Sequence, residues 1–142
     1  DFSGWGVTGE WQSRDWVFCY NGEPDAHGQA IETTESFGDY GFIVDVRVSA
    51  QTKPCAIQLR GVPAGAIPVE PSLYDGILVL KGRNWNRFEG ELRGDRLSMS
   101  LNGKPVFTGK KLEGLPAKGP LKIVPTGPVD FANVYVRDLA KR

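Results

Sequence analysis

Nowhere in the chain does a run of ten residues free of glycine and proline sustain an apolar stripe at i, i+3 and i+4. Without that stripe a helix has no face to bury. Eighteen glycines and ten prolines cut the 142 residues into short segments, and within these the apolar residues alternate. Period-two alternation turns one face of a strand to a core and the other to water. In 40–48, Tyr40, Phe42, Val44, Val46 and Val48 share one face, and Ile43, Asp45 and Arg47 the other. Residues 55–61 set Ile57 and Leu59 against Gln58 and Arg60, and 76–81 ("GILVLK") reads as a central strand. Strands follow at 86–92 and 96–101, and in the second Leu97, Met99 and Leu101 alternate with Arg96, Ser98 and Ser100. The last strand, 129–137, sets Val129, Phe131, Asn133 and Tyr135 against Ala132, Val134 and Val136. The class is all-β.

Asn102-Gly103 follows Leu101 and is the strongest hairpin signal, because a type I′ turn needs positive φ at both central residues. Proline-rich stretches at 62–72 and 113–120 read as loops. There are no internal repeats and no linker, so 1–142 reads as one domain, large enough for a core of its own. The chain opens at Asp1 without a signal-peptide pattern, which reads as a mature protein or an excised piece. Cys19 and Cys55 are open to two readings. A disulfide would close a loop of about 35 residues worth about 3–4 kcal/mol, whereas two buried thiols need no partner.

Composition removes several functions. Seventeen basic residues balance seventeen acidic ones and are dispersed, so no nucleic acid or anionic lipid partner is expected. No stretch approaches the roughly 20 apolar residues that span a bilayer as a helix. A single histidine, His27, lies in a Gly/Pro-bounded loop and excludes multi-histidine metal centres. GxSxG, GxGxxG and P-loop patterns are absent, and no dense Asp/Asn loop offers a calcium site. Neither a metal nor a cofactor is expected.

What remains is a polar sheet face. Glu89 and Glu91 are two residues apart on one strand, roughly 6.5–7 Å between Cα atoms. If 40–49 and 55–61 pair as a hairpin, Asp45, Arg47, Gln58 and Arg60 share one face, extended by Lys81, Arg87 and Glu89. Fixed guanidinium and carboxylate groups suit hydroxyl-rich ligands, since Arg donates through a planar fork and Asp accepts from vicinal hydroxyls. A solvated face carrying cross-strand ion pairs fits the same pattern. Trp85 reads as a lid on the core with its indole N–H at the polar edge, with a platform for a sugar ring as the alternative.

In order along the chain, "DFSGW" (1–5), "TTESFGDYGFIVDVRV" (33–48), "CAIQLRG" (55–61), "NWNRFEGELRGDRLSMSLNGKPV" (84–106) and "GPLKIVPTGPVDFANVYVRDL" (119–139) resemble the 3-keto-disaccharide hydrolase domain family. The resemblance covers nearly the whole chain. It implies a concanavalin A-like jelly-roll sandwich of two antiparallel sheets, a bacterial carbohydrate-directed protein and an extracellular or periplasmic location. The family's usual "LFNGk" before the first motif implies that Asp1 sits just inside the domain boundary.

Family chemistry uses a ketone to acidify a neighbouring C–H, so that a base removes the proton and the glycosidic oxygen leaves. The implied base is Asp45, Asp75 or Glu89, and Arg47 or Arg60 stabilises the enolate. Arg47, Gln58, Arg60 and Lys81 would bind the substrate. Two motifs depart from the pattern. An acidic "E.QI" segment after "LRG" is replaced by "VPAGAIPVEPSLYDG", with Glu70 and Asp75 as stand-ins. In the closing motif Val124 and Thr126 occupy the usual Gln and His positions. Two functions therefore stand side by side: a hydrolase or lyase of 3-keto-glycosides, and a non-catalytic carbohydrate-binding or structural module of a larger secreted protein.

Overall fold

The computed structural model describes residues 4–8, 11–14, 17–20, 30–47, 55–70, 73–74, 85–125 and 129–139. These form twelve strands: β1 (Trp5–Thr8), β2 (Trp11–Arg14), β3 (Val17–Tyr20), β4 (Ala30–Thr33), β5 (Tyr40–Arg47), β6 (Cys55–Gln58), β7 (Ala66–Val69), β8 (Trp85–Arg93), β9 (Arg96–Leu101), β10 (Lys104–Lys111), β11 (Lys122–Val124) and β12 (Val129–Asp138). Among the described residues the helical pieces are single 3₁₀ turns at Leu59–Gly61 and Pro63–Gly65. One sheet runs β1-β4-β11-β6-β7 and the other β10-β9-β8-β5-β12-β3-β2. Every paired neighbour is antiparallel. The architecture is a concanavalin A-like jelly-roll sandwich.

The alternating positions explain the stack. Tyr40, Phe42, Val44, Val46, Phe88, Leu92, Leu97, Met99, Leu101 and Phe131 line the inner face of the seven-stranded sheet, all buried. Ile31, Ile57, Ile67, Val69 and Ile123 answer from the five-stranded sheet. The β9–β10 hairpin closes at Asn102 and Gly103 with φ of 52° and 79°, the handedness a type I′ turn requires. Its asparagine also supports the next strand: Asn102 Oδ1 accepts the Arg87 N–H at 2.8 Å, and Asn102 Nδ2 donates to buried Asn86 at 3.0 Å.

Three expectations change. The strands 40–49 and 55–61 do not pair. Strand β5 bonds to β8 and β12 in one sheet, and β6 bonds to β7 and β11 in the other. Each has one apolar face, and a sandwich satisfies both by turning those faces together across the core, which puts their polar faces on opposite outer surfaces. The 62–72 stretch is not all loop, since Ile67 and Val69 of β7 are buried. Among the described residues β7 bonds to β6 alone, at the margin of the sheet, where Pro68 is tolerated. Strand β12 changes face midway, as described below. Of the two readings open for the cysteines, the thiol one holds: Cys55 is a free, buried thiol, and no Cys19–Cys55 bridge forms. Burial pushes that thiol up to about 12, which leaves it protonated and chemically inert at neutral pH. The 76–81 strand, His27, Asp75 and Lys81 lie outside the described residues.

Candidate functional site

The outer face of the seven-stranded sheet gathers the polar side chains, and a bulge organises it. Ala132 pairs with Asp45 and Tyr135 with Ile43, so Asn133 and Val134 together stand opposite Val44. A bulge of this kind re-aims the side chains that follow it. Asn133 takes φ 48°, a left-handed conformation asparagine tolerates better than most residues. Beyond the bulge, Val134 and Val136 turn to the core while Tyr135 and Arg137 are exposed. Phe131 and Tyr135, which strict alternation puts on one face, therefore part: Phe131 is buried and Tyr135 is 62% exposed.

Asp45 is the fixed centre of this face. It is buried, and it accepts from Arg87 Nε at 2.8 Å, from Arg87 Nη2 at 3.0 Å and from Asn133 Nδ2 at 2.8 Å. Burial alone would raise the carboxyl pKa, but the Arg87 and Asn133 hydrogen bonds and the Arg87 charge outweigh it, and the net shift is downward. The same bond raises Arg87. A carboxylate held ionised by three donors is a weak base and a firm hydrogen-bond anchor. Because the folded value lies below the unfolded one, its stabilisation is complete above the unfolded pKa and disappears as pH falls through the folded one. Asp45→Asn is expected to cost about 1–2 kcal/mol at pH 7. The difference from wild type should begin to shrink as pH falls below the unfolded value of about 4 and close only further down, where the native carboxyl itself protonates. Urea titrations of both proteins at pH 7 and pH 3 check this.

One row along, Arg47 donates to Asp130 Oδ2 from Nε at 2.9 Å and Nη2 at 2.7 Å. Its guanidinium lies 4.6 Å from the centre of the Trp85 ring. Trp85 pairs with Arg47 in register and is 37% exposed, so it belongs to the outer face and does not lid the core. One face of its ring is already covered by the arginine.

In the other direction the face dips. A hollow of about 260 Å³ is lined by Gly41, Ile43, Glu89, Glu91, Tyr135 and Arg137, near the lower end of small-molecule sites at roughly 300–1,000 Å³. It exists because position 41 carries no side chain. A Cβ there would meet Gly90 O at 3.6 Å, Glu91 Cγ at 3.9 Å and Arg137 Nε at 4.0 Å, all ordinary contacts. Glu91 is shared by Arg93 at 3.2 Å and Arg137 at 3.5 Å. Among the described residues nothing forms an ion pair or side-chain hydrogen bond with the Glu89 carboxylate.

The structure therefore brings Asp45, Arg47, Arg87 and Glu89 to one face and sets Gln58 and Arg60 apart from them. Gln58 lies on β6 of the other sheet. Arg60 is 5% exposed, and its guanidinium donates to Gly38 O at 3.2 Å, Pro116 O at 3.0 Å and Asp39 Oδ1 at 3.4 Å. Those bonds tie loops together and leave the group inaccessible to a ligand on the outer face. Gly41, Asp130, Asn133 and Tyr135 were missed by strand periodicity. The one available signal was Asn133, a poor strand residue that tolerates positive φ and so marks a bulge.

No protein-family model matches the chain, and no curated protein matches it in sequence. Solved structures do match. A candidate glycosyl hydrolase from Parabacteroides distasonis superposes with a TM-score of 0.73 at 14% identity, over 96% of this chain and 94% of its own. A second from the same organism gives 0.69 at 18% identity, over 98% and 90%. The carbohydrate-binding module CBM66 from Bacillus subtilis gives 0.72 at 15% identity, over 95% and 96%. The chain shares their fold. At these identities the likeness is one of architecture, and which side chains do what must come from the face itself.

Proposed function

We propose that this chain is a carbohydrate-directed domain that seats one sugar ring of its ligand in the Gly41 hollow. The observation that carries this reading is the grouping on one sheet face of an exposed tyrosine, a side-chain-free floor and hydrogen-bonding groups locked in place. Tyr135 offers a ring to the apolar face of a sugar. Asp45 and Arg47 are fixed by their own partners, so little ordering remains to be done when a hydroxyl-rich ligand arrives. The solved structures named above, two candidate glycosyl hydrolases and a carbohydrate-binding module, support a ligand of this class. An extracellular or periplasmic location belongs to the same proposal.

A second reading, catalysis on 3-keto-glycosides, rests on the sequence resemblance and on Glu89. Among the described residues that carboxylate borders the hollow without an ion-pair partner, so its oxygens are open to a substrate C–H, whereas those of Asp45 are taken up by three donors. In this reading Glu89 takes the proton beside the ketone, the electron pair forms the enolate, and the glycosidic C–O bond breaks as the leaving oxygen is protonated by water. Arg87, 49% exposed beside Asp45, is placed to stabilise the enolate charge.

NMR of the protein mixed with 3-keto-disaccharides and their unoxidised parents tests both readings. Shifts at Tyr135, Ile43 and Glu89 without product would support binding alone, and free monosaccharide or an unsaturated ketone would establish catalysis. Silence from every saccharide would overturn both. Gly41→Val is expected to fold with wild-type stability, since the new Cβ meets only ordinary contacts, while filling the hollow and weakening binding at least about tenfold. Tyr135→Ala should weaken it by up to about tenfold, corresponding to roughly 1.4 kcal/mol.

A further inference from the structure

Building on that carbohydrate reading, we infer that the hollow selects an amino sugar, with its ammonium directed at Glu89. The charges on this face are unevenly matched. Arg47 is held by two hydrogen bonds to Asp130 and Arg87 by two to Asp45, while Arg93 and Arg137 both pair with Glu91. Each of these arginines already has a carboxylate. Glu89 is the acidic group bordering the hollow to which, among the described residues, no cation is hydrogen-bonded; Arg87, two residues away, acts on it only through its field and gives its hydrogen bonds to Asp45. An anionic sugar would meet this carboxylate and would have to compete for arginines already occupied.

Position strengthens the assignment. Tyr135, Ile43 and Glu89 lie in one cross-strand row, on β12, β5 and β8 respectively. Adjacent strands are about 4.8 Å apart, so the Tyr135 and Glu89 backbones stand roughly 10 Å apart with Ile43 between them. A sugar ring laid over Ile43 has the tyrosine at one side and the carboxylate at the other. Aromatic ring and carboxylate together form the pairing that recognises a compact ammonium on an apolar body. Arg137, in the next row with Gly41 and Glu91, is held by Glu91 at the margin of the hollow.

The test is titration of the ¹⁵N-labelled protein at pH 6 with glucosamine, galactosamine and mannosamine, their N-acetyl forms and the parent hexoses. The expected result is that an amino sugar binds at least about tenfold tighter than its hydroxyl and N-acetyl counterparts, with shifts at Tyr135, Ile43 and Glu89. In Glu89→Gln the ratio of amino-sugar to hexose affinity should collapse towards one, and added salt should weaken only the amino-sugar complex. Equal or tighter binding of hexoses or N-acetyl sugars at these residues would overturn the amino-sugar inference and leave the carbohydrate reading intact. So would an amino-sugar preference that persists in Glu89→Gln. If no member of this panel or of the disaccharide panel moves these residues, both fall together.

Discussion

Replacing Arg60 by alanine is expected to destabilise the fold by about 3 kcal/mol or more, without any ligand being involved. Arg60 follows β6 in the first 3₁₀ turn, and its backbone N–H donates to Tyr40 Oη at 2.8 Å across the sandwich. Its side chain reaches the segment before β5 through Gly38 and Asp39, and the 113–120 loop through Pro116. Truncation therefore leaves two carbonyls without their donor and a cavity where a long side chain had been. Gly38 is half-buried and Pro116 exposed, so water replaces part of what those carbonyls lose, and the cavity left by a 5% exposed side chain carries most of the cost.

Arg60 also sits at φ 54°, ψ 23°, a left-handed conformation costing a non-glycine residue roughly 1–2 kcal/mol. Arg60→Gly loses the same hydrogen bonds but sheds that strain. It should therefore be about 1 kcal/mol more stable than Arg60→Ala, the reverse of the usual ranking within regular structure. Urea unfolding of the three proteins decides the matter. Wild-type stability in Arg60→Ala would contradict the loop-tying role, and a ligand-binding defect with unchanged stability would return Arg60 to the site.

This residue shows where sequence reading reached and where it stopped. Period-two alternation found β5, β8, β9 and most of their inward side chains, because burial on one face is imposed residue by residue. Pairing is not imposed that way. Two strands separated by a few residues look alike whether they hydrogen-bond side by side or face each other across a core, so Arg60 was assigned to the surface of Asp45 and Arg47. The Asp45–Arg87 contact was closer to hand, since both lie on strands whose alternation was legible. The hollow was beyond reach. It depends on a bulge at Asn133–Val134 that turns Tyr135 outward and on the missing side chain at Gly41. The first interrupts the period, and the second is a glycine whose lack of a side chain matters only once its neighbours are known.

Gly90→Ala is expected to cost about 3 kcal/mol or more, and contrasts with the tolerance expected at Gly41 on the adjacent strand. Gly90 pairs with Phe42 on β5 and Met99 on β9, inside the row that faces the core. A Cβ there would lie 2.4 Å from Ser98 O and 3.0 Å from both Met99 Cα and Phe42 Cζ. Ordinary overpacking costs about 1–3 kcal/mol because side chains shift. Here the obstacle is the backbone of β9, which cannot move without breaking the ladder that sets Glu89 opposite Ser100 and Glu91 opposite Ser98. The two glycines thus serve opposite sides of one sheet, Gly90 letting β8 and β9 approach and Gly41 leaving room above them. Thermal and urea unfolding of Gly90→Ala beside Gly41→Val separates the roles. Loss of stability at position 90 with none at 41, and loss of saccharide binding at 41, is the expected pattern. A stable Gly90→Ala would mean that β9 shifts freely, and the rows that define the hollow would then not be fixed.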